Sequence, residues 1–201
     1  MKKIGIYSSI DVGEVIDKDI DYIAADGGVE HLLRQDIRPI CIIGDLDSIK
    51  NTEVISQFNI QRFPPVKDDT DTALAIEEAI RRGYEEIDLY GVTHKRMDHF
   101  MAVLCLLKKY SHIHITIYDE YNKIYILKKG KHKIYKEKYK YFSLFSYLPT
   151  IVSLSQCHYP LENYLLDNTD PLCVSNQVND NFAVIEVSED VLLIQSNERT
   201  I

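Results

Sequence analysis

Tryptophan is absent from the sequence, so contacts with a flat ring fall to its 14 tyrosines and 6 phenylalanines. Cysteine is scarce: Cys41, Cys105, Cys157 and Cys173 form no C-x-x-C pair and no zinc-ligand spacing. Cys41 and Cys105 lie inside apolar runs and read as small core residues. No run of about 18 apolar residues occurs, which excludes a spanning helix. The opening MKKIGIYSSIDVGEV has two lysines, but its apolar run is short and soon turns acidic, unlike a signal peptide. A reducing cytoplasm is the expected compartment. Positive charge is in deficit too. The net charge of −8 and pI of about 5.3 disfavour non-specific nucleic-acid binding, which needs a basic surface. No internal repeat, low-complexity linker, P-loop or G-x-G-x-x-G is present, so a nucleotide would have to be held by other loops.

What the sequence does contain changes character near residue 122. Before it, strand-like and helix-like segments alternate. KKIGIYSS, DYIAA, PICIIG, NIQRF, EEIDLY and HIHITIY read as extended. GGVEHLLRQD and TEVISQF read as helical. TDTALAIEEAIRRG carries Ala73, Ile76 and Ile80 at helical spacing, with Gly83 as a stop signal. MDHFMAVLCLLKKY predicts a helix with Met97, Met101, Leu104 and Leu107 on one apolar face. Strands separated by helices predict βαβ units in a mainly parallel, Rossmann-like α/β domain over residues 1–122. After it come short alternating segments rich in Tyr, Ile, Val and Ser, which predict an antiparallel β-sandwich domain over residues 123–201. Seven lysines in KKGKHKIYKEKYK (128–140) fit the solvated face of a hairpin, where edge lysines discourage aggregation.

The chemistry-bearing residues cluster where apolar strands end. AADGG (24–28), GDLDS (44–48), KDDTD (67–71) and GVTHKRMDH (91–99) each close a strand or open a helix. In open α/β sheets, ligands bind outside the carboxyl ends of the strands, so the four clusters can converge on one rim. Asp26, Asp45, Asp47, Asp68, Asp69, Asp71 and Asp98 would meet there, and carboxylates in that number need a cation. Hard oxygen ligands suit Mg²⁺, which completes its shell with water and phosphate oxygens. Gly27, Gly28, Gly44 and Gly91 let backbone approach a ligand closely. Helix N-termini offer N–H groups to an anion, and Arg96 offers a guanidinium fork. Each cluster alone is an ordinary turn. Together they point to an Mg²⁺-dependent enzyme acting on a phosphorylated ligand such as a nucleotide. Another Mg²⁺-dependent phosphotransferase or hydrolase, and a sensor that binds without turnover, remain as alternatives.

The order of these motifs resembles the thiamin pyrophosphokinase family, in AADGG, GDLDS, DDTD and GVTHKRMDH and, further on, in YPLENYLL (159–166) and the SN of CVSNQV (173–178). The resemblance implies an α/β domain that binds ATP, followed by a β-sandwich that binds thiamine and forms the dimer. It implies a homodimer whose sites combine the rim of one subunit with the sandwich of the other, and no nucleic-acid or membrane partner. The implied reaction transfers a pyrophosphoryl group from ATP to the hydroxyethyl oxygen of thiamine, giving thiamine diphosphate and AMP. On the matching positions, Asp45, Asp47, Asp71, Asp98 and Arg96 would be catalytic, and Asp45, Asp47 and Asp71 would hold Mg²⁺. ATP would be met by Asp26, Gly27, Lys67, Asp68, Thr70, Thr93 and Arg96, and thiamine by Asp71, Asp98, Ser175 and Asn176. Asp71 and Asp98 both stand as candidates to accept the alcohol proton. Three departures are visible. His94 and Lys95 replace two glycines usual before the arginine, Gln177 replaces a frequent glutamate, and no tryptophan is available to stack on thiamine.

Overall fold

The computed structural model describes residues 1–44, 60–62 (backbone alone), 70–94 and 96–198. The GDLDS loop from Asp45 on, the predicted helix TEVISQF, and Lys67, Asp68, Asp69 and Lys95 lie outside these residues. Among the described residues the chain is a mixed α/β protein dominated by strands, with thirteen strands and three helices. It divides into two compact units, Met1–Glu120 and Tyr121–Ile201.

In the first unit six strands are β1 (Lys3–Tyr7), β2 (Asp21–Ala25), β3 (Cys41–Gly44), β4 (Ile60–Arg62), β5 (Glu86–Tyr90) and β6 (His114–Tyr118). They lie in the order β4-β3-β2-β1-β5-β6, and every pair is parallel. The strands read as near-continuous apolar runs because both faces are covered; Ile4, Ile6, Ile23, Ile42, Ile43 and Leu89 are all at 0% exposure. Three helices join them: α1 (Gly28–Leu33), α2 (Asp71–Arg81) and α3 (Met97–Lys109). Thr70 caps α2, its Oγ1 accepting from Ala73 N at 3.2 Å. Ala73, Ala75, Ile76 and Ala79 form the buried face of α2. Gly83, at φ +80, stops the helix with its N–H on the Ile80 carbonyl.

On α3 the predicted apolar face is corrected. Val103 and Leu107, four residues apart, are its buried positions, whereas Met97 and Met101 are exposed by 69% and 55%. Cys105 is exposed as well, not a core residue, while Cys41 is buried as expected. The segment is apolar around most of its circumference, so its spacing alone could not select the inward stripe.

A tyrosine group in this unit was not anticipated. The rings of Tyr7, Tyr90 and Tyr118 stack in series at centroid distances of 5.7 and 5.8 Å, and His31 stacks on Tyr7 at 5.3 Å. Their hydroxyls fasten the segment between β1 and β2. Tyr7 donates to the Gly13 carbonyl and accepts from Val12 N, Tyr90 accepts from Ile16 N, and Tyr22 donates to the Asp17 carbonyl. Buried tyrosines need such partners for their polar ends. Burial raises the pKa of Tyr7, Tyr22 and Tyr90 above the ordinary phenol value.

In the second unit the strands are β7 (Asn122–Leu127), β8 (Gly130–Tyr135), β9 (Tyr141–Ser146), β10 (Thr150–Ser155), β11 (Leu161–Leu166), β12 (Phe182–Val187) and β13 (Val191–Ser196). All their pairings are antiparallel. β7, β13 and β9 are neighbours in that order, and β11-β10-β12-β8 form a four-stranded sheet. Phe142, Leu144 and Leu193 from the first set share one core with Ile134, Val152, Leu154, Leu166 and Ile185 from the second. The alternating pattern of β10 (Thr150, Val152 and Leu154 buried, Ile151 and Ser155 exposed) follows from having one face on that core. The lysine-rich segment is solvated as expected but is not a hairpin: its strand, β8, is the edge of the four-stranded sheet and pairs with β12, not with its chain neighbours β7 or β9. Lys128 pairs with Asp190, Lys131 with Glu186 and Lys140 with Glu198, and Lys133 lies over the Phe182 ring.

Candidate active site

The carboxyl ends of the parallel strands carry the polar residues. β1 is followed by Ser8 and Ser9, β2 by Asp26 and β5 by Gly91, and β3 closes on Gly44. Asp26 takes a left-handed φ of +49 and anchors its N–H on the Ile43 carbonyl at 2.9 Å. Gly44 has to be glycine. Its φ is +146, and an added Cβ would stand 2.2 Å from Asp26 Oδ1. Gly91 is equally constrained, with φ +74 and the Ser8 carbonyl oxygen 2.6 Å from where its Cβ would be. The two glycines thus let neighbouring strand ends close on each other.

A cavity of about 310 Å³ opens at this rim. It is lined by Ser8, Asp26, Thr70, Asp71, Arg96 and His99, with Gly91 and Val103 among its walls. Five elements therefore contribute: the ends of β1, β2 and β5 and the first turns of α2 and α3. Asp26, Thr70, Asp71 and Arg96, separated by up to 70 positions in sequence, come together as expected. Ser8 and Ser9 were not singled out from the sequence. The signal available was a pair of small polar residues directly after a buried strand. Ser8 Oγ lies 3.3 Å from Thr72 Oγ1, which ties the end of β1 to the start of α2.

Arg96 precedes α3 and grips Asp98, with Nε 3.2 Å from Oδ1 and Nη2 2.6 Å from Oδ2. Both side chains are about two-thirds exposed. That bidentate contact pulls the Asp98 carboxyl below the ordinary carboxylate range. Thr93 is buried at 6% exposure, and among the described residues its Oγ1 has no hydrogen-bond partner. Among the described residues no group of three or more His, Cys, Asp or Glu forms a ready metal cage. Asp26 and Asp71 are nonetheless hard oxygen donors lining one cavity. That donor chemistry fits Mg²⁺, which takes few protein ligands. The other expected ligands, Asp45 and Asp47, lie outside the described residues.

In the second unit, Ser175 is exposed and sits at φ +60, its N–H donating to Ser143 Oγ at 3.0 Å. Asn176 is buried and faces inward. Its Oδ1 accepts from Tyr159 N and Gln177 N at 3.0 and 2.9 Å, and its Nδ2 donates to the Tyr159 carbonyl at 2.8 Å. Its backbone bridges to Phe142. The amide thus clasps Tyr159 at both of its main-chain groups. Tyr159, Leu172 and Val174 keep much of their apolar surface exposed and line a cavity of about 270 Å³ with Leu154, Leu161 and Asn176. An exposed tyrosine beside an apolar hollow is the ring surface this tryptophan-free chain offers there.

A parallel sheet with acids, an arginine fork and glycine-permitted close approaches at its carboxyl rim defines an enzyme class that handles phosphorylated ligands. Comparison with known proteins narrows this. The family model of the thiamin pyrophosphokinase catalytic domain matches residues 12–118, and that of the thiamin pyrophosphokinase vitamin B1 binding domain matches residues 131–192. The chain is 29% identical over 185 residues to thiamine pyrophosphokinase of Bacillus subtilis, covering 86% of this chain and 85% of that one. The crystal structure of the thiamine pyrophosphokinase from Bacillus subtilis superimposes with a TM-score of 0.89 at 25% identity, covering 98% of this chain and all of the other. That of a probable thiamine pyrophosphokinase from Staphylococcus saprophyticus superimposes with a TM-score of 0.75 at 32% identity, covering 99% of this chain and all of the other. The chain belongs to the thiamin pyrophosphokinase family. Members of the family are ATP:thiamine diphosphotransferases, and the chain is accordingly a kinase of that kind.

Proposed function

We propose that the rim cavity of the first unit holds the phosphates of ATP and that pyrophosphoryl transfer takes place there. The observation that carries this reading is the convergence of Asp26, Asp71 and Arg96 on one cavity at the carboxyl ends of β1, β2 and β5. The oxygen of thiamine's hydroxyethyl arm attacks the β-phosphorus of ATP. The bond from that phosphorus to the oxygen bridging the α-phosphate breaks, and AMP leaves. There is little covalent work for the protein in such a step, so catalysis is positioning and charge stabilisation.

The residues divide that work. Arg96 has a fork that matches two phosphate oxygens and draws off developing charge. To reach them it must let go of Asp98. Within the grip Asp98 is a weak base, because Arg96 holds its pKa down. Released, it recovers basicity as the phosphates take the guanidinium, and it accepts the alcohol proton. Gly27 and Thr93 do not themselves line the cavity but directly follow Asp26 and Val92, which do, and would contribute backbone and hydroxyl groups to ATP. Asp45, Asp47 and Asp71 would hold Mg²⁺, which supplies neutralisation of phosphate charge when bound. Lys67 and Asp68 would complete the nucleotide contacts. Thiamine would meet Asp71 and Asp98 through its alcohol, and its rings would meet the surface around Ser175 of a second copy of the chain, where Asn176 holds Tyr159 in place. A cytoplasmic homodimer with shared active sites completes the reading; no helix of the described residues is long and apolar enough to cross a membrane.

Incubation with ATP and thiamine, with Mg²⁺ supplied or removed by a chelator, tests the reading. Thiamine diphosphate should accumulate only with all three present. AMP or ADP formed equally fast without thiamine would instead mark a nucleotide hydrolase.

A further inference from the structure

The turn from β5 to α3 contains a residue that the reaction above leaves unused. His94 lies at φ +77, a left-handed conformation that a side chain with a Cβ adopts only at a cost. A glycine would take this φ freely. Such strained residues persist where the surroundings fix them, and they gather at functional sites. Here the fixing group is visible. His94 Nε2 lies 3.3 Å from Asp119 Oδ2, and the Asp119 side chain is fully buried whereas that of His94 is 47% exposed. Asp119 directly follows β6. β5 and β6 run parallel with Tyr90 opposite Tyr118, so Gly91 and Asp119 leave the sheet at the same level, on its carboxyl side. The buried carboxylate thus fixes an imidazole in the turn between Val92 and Arg96, both of which line the rim cavity.

We infer that His94, positioned by Asp119, is a phosphate-contacting residue of this chain. With Nε2 turned to the Asp119 carboxylate, Nδ1 is the ring nitrogen left to face the ATP phosphates at the start of α3, and it donates its N–H and a positive charge in the imidazolium form. A charged contact of this sort outweighs the conformational strain that glycine would have avoided, which explains why a histidine is kept at a left-handed φ. The inference rests on the rim being the ATP site. Asp119 acts through His94 and is a positioning residue.

The test measures ATP binding by calorimetry, without thiamine, for the full chain and for His94→Gly, His94→Asn and Asp119→Asn. His94→Gly removes both the imidazole and the strain, so it should fold at least as stably as the parent while its Kd for ATP rises about tenfold, the scale of one charge-assisted hydrogen bond. His94→Asn, which tolerates positive φ, should weaken ATP by a similar factor. Asp119→Asn should weaken it less, and adding it to His94→Gly should weaken it no further. KM for thiamine should not move in any variant. An ATP Kd unchanged in both His94→Gly and His94→Asn, with the fold intact, would overturn the inference. Failure of the parent protein to form thiamine diphosphate while still binding ATP through His94 would instead strike the functional reading.

Discussion

Arg96 and Asp98 hold each other through two parallel contacts of 3.2 and 2.6 Å across two residues at the start of α3. Exposed pairs of this kind add little to stability. Their value lies in what each does when the other is taken away. Arg96→Lys, which keeps the charge and loses the fork, should lower kcat/KM at least about tenfold, and Arg96→Ala about a hundredfold, the usual cost of one group that stabilises transition-state charge. Thermal unfolding should be unchanged in both. A steady-state rate profile alongside a melting curve checks this. A fall in Tm matching the fall in rate would show that the pair is structural.

Thr70, expected to meet ATP, lines the cavity and also caps α2, its Oγ1 accepting from Ala73 N. Thr70→Ala should therefore lower the unfolding free energy by about 1 kcal/mol, while Thr70→Ser leaves it unchanged. Urea denaturation reads this directly. Should Thr70→Ala leave the midpoint where it is and raise KM for ATP, the hydroxyl serves the nucleotide instead.

Gly91→Ala meets two obstacles at once, a φ of +74 and the Ser8 carbonyl oxygen 2.6 Å from the new Cβ. The loss of stability should be about 1–3 kcal/mol, as for a non-glycine residue forced into a sparsely populated backbone region. Activity should fall as well, because Ser8 and Gly91 both line the cavity. A variant as stable and active as the parent would contradict this packing.

Tyr84 gives a pH signature away from the site. Its hydroxyl donates to Asp21 Oδ2. Burial first, and then that hydrogen bond, push its pKa from 10.0 up to about 12. A phenol whose folded pKa exceeds its unfolded value stabilises the protein fully below the unfolded value, and the contribution is lost as pH rises towards the folded one. The parent protein should therefore be more stable than Tyr84→Phe at pH ~9, with the gap closing through the window from about 10 to about 12. Urea midpoints recorded across that window test it. A constant gap would mean that Tyr84 does not titrate there.

How much of this could be read beforehand differs by kind of signal. The strand and helix alternation, the break near residue 122 and the strand-end clusters are local patterns, and Asp26, Asp71 and Arg96 meet where the clusters converge. Burial on α3 was not legible, because Met97, Met101, Val103 and Leu107 offer two competing apolar stripes and only tertiary packing selects Val103 and Leu107. The tyrosine stack was hidden for another reason. Tyr7, Tyr22, Tyr90 and Tyr118 come from four strands, and only their side-by-side order brings the rings together. The inward amide of Asn176 is likewise a product of long-range pairing with Tyr159 and Phe142. His94 is a sharper case. That a histidine stands where glycine is usual was visible, but its left-handed φ and the buried Asp119 beside its ring were not.

The central claim is that the Asp71 rim carries pyrophosphoryl transfer. The most direct measurement is the yield of AMP and thiamine diphosphate from ATP, thiamine and Mg²⁺, for the parent chain and for Asp71→Asn with its fold verified by circular dichroism. The parent should form the two products in equal amounts, and Asp71→Asn almost none of either. Near-normal thiamine diphosphate from the folded Asp71→Asn protein would contradict the account.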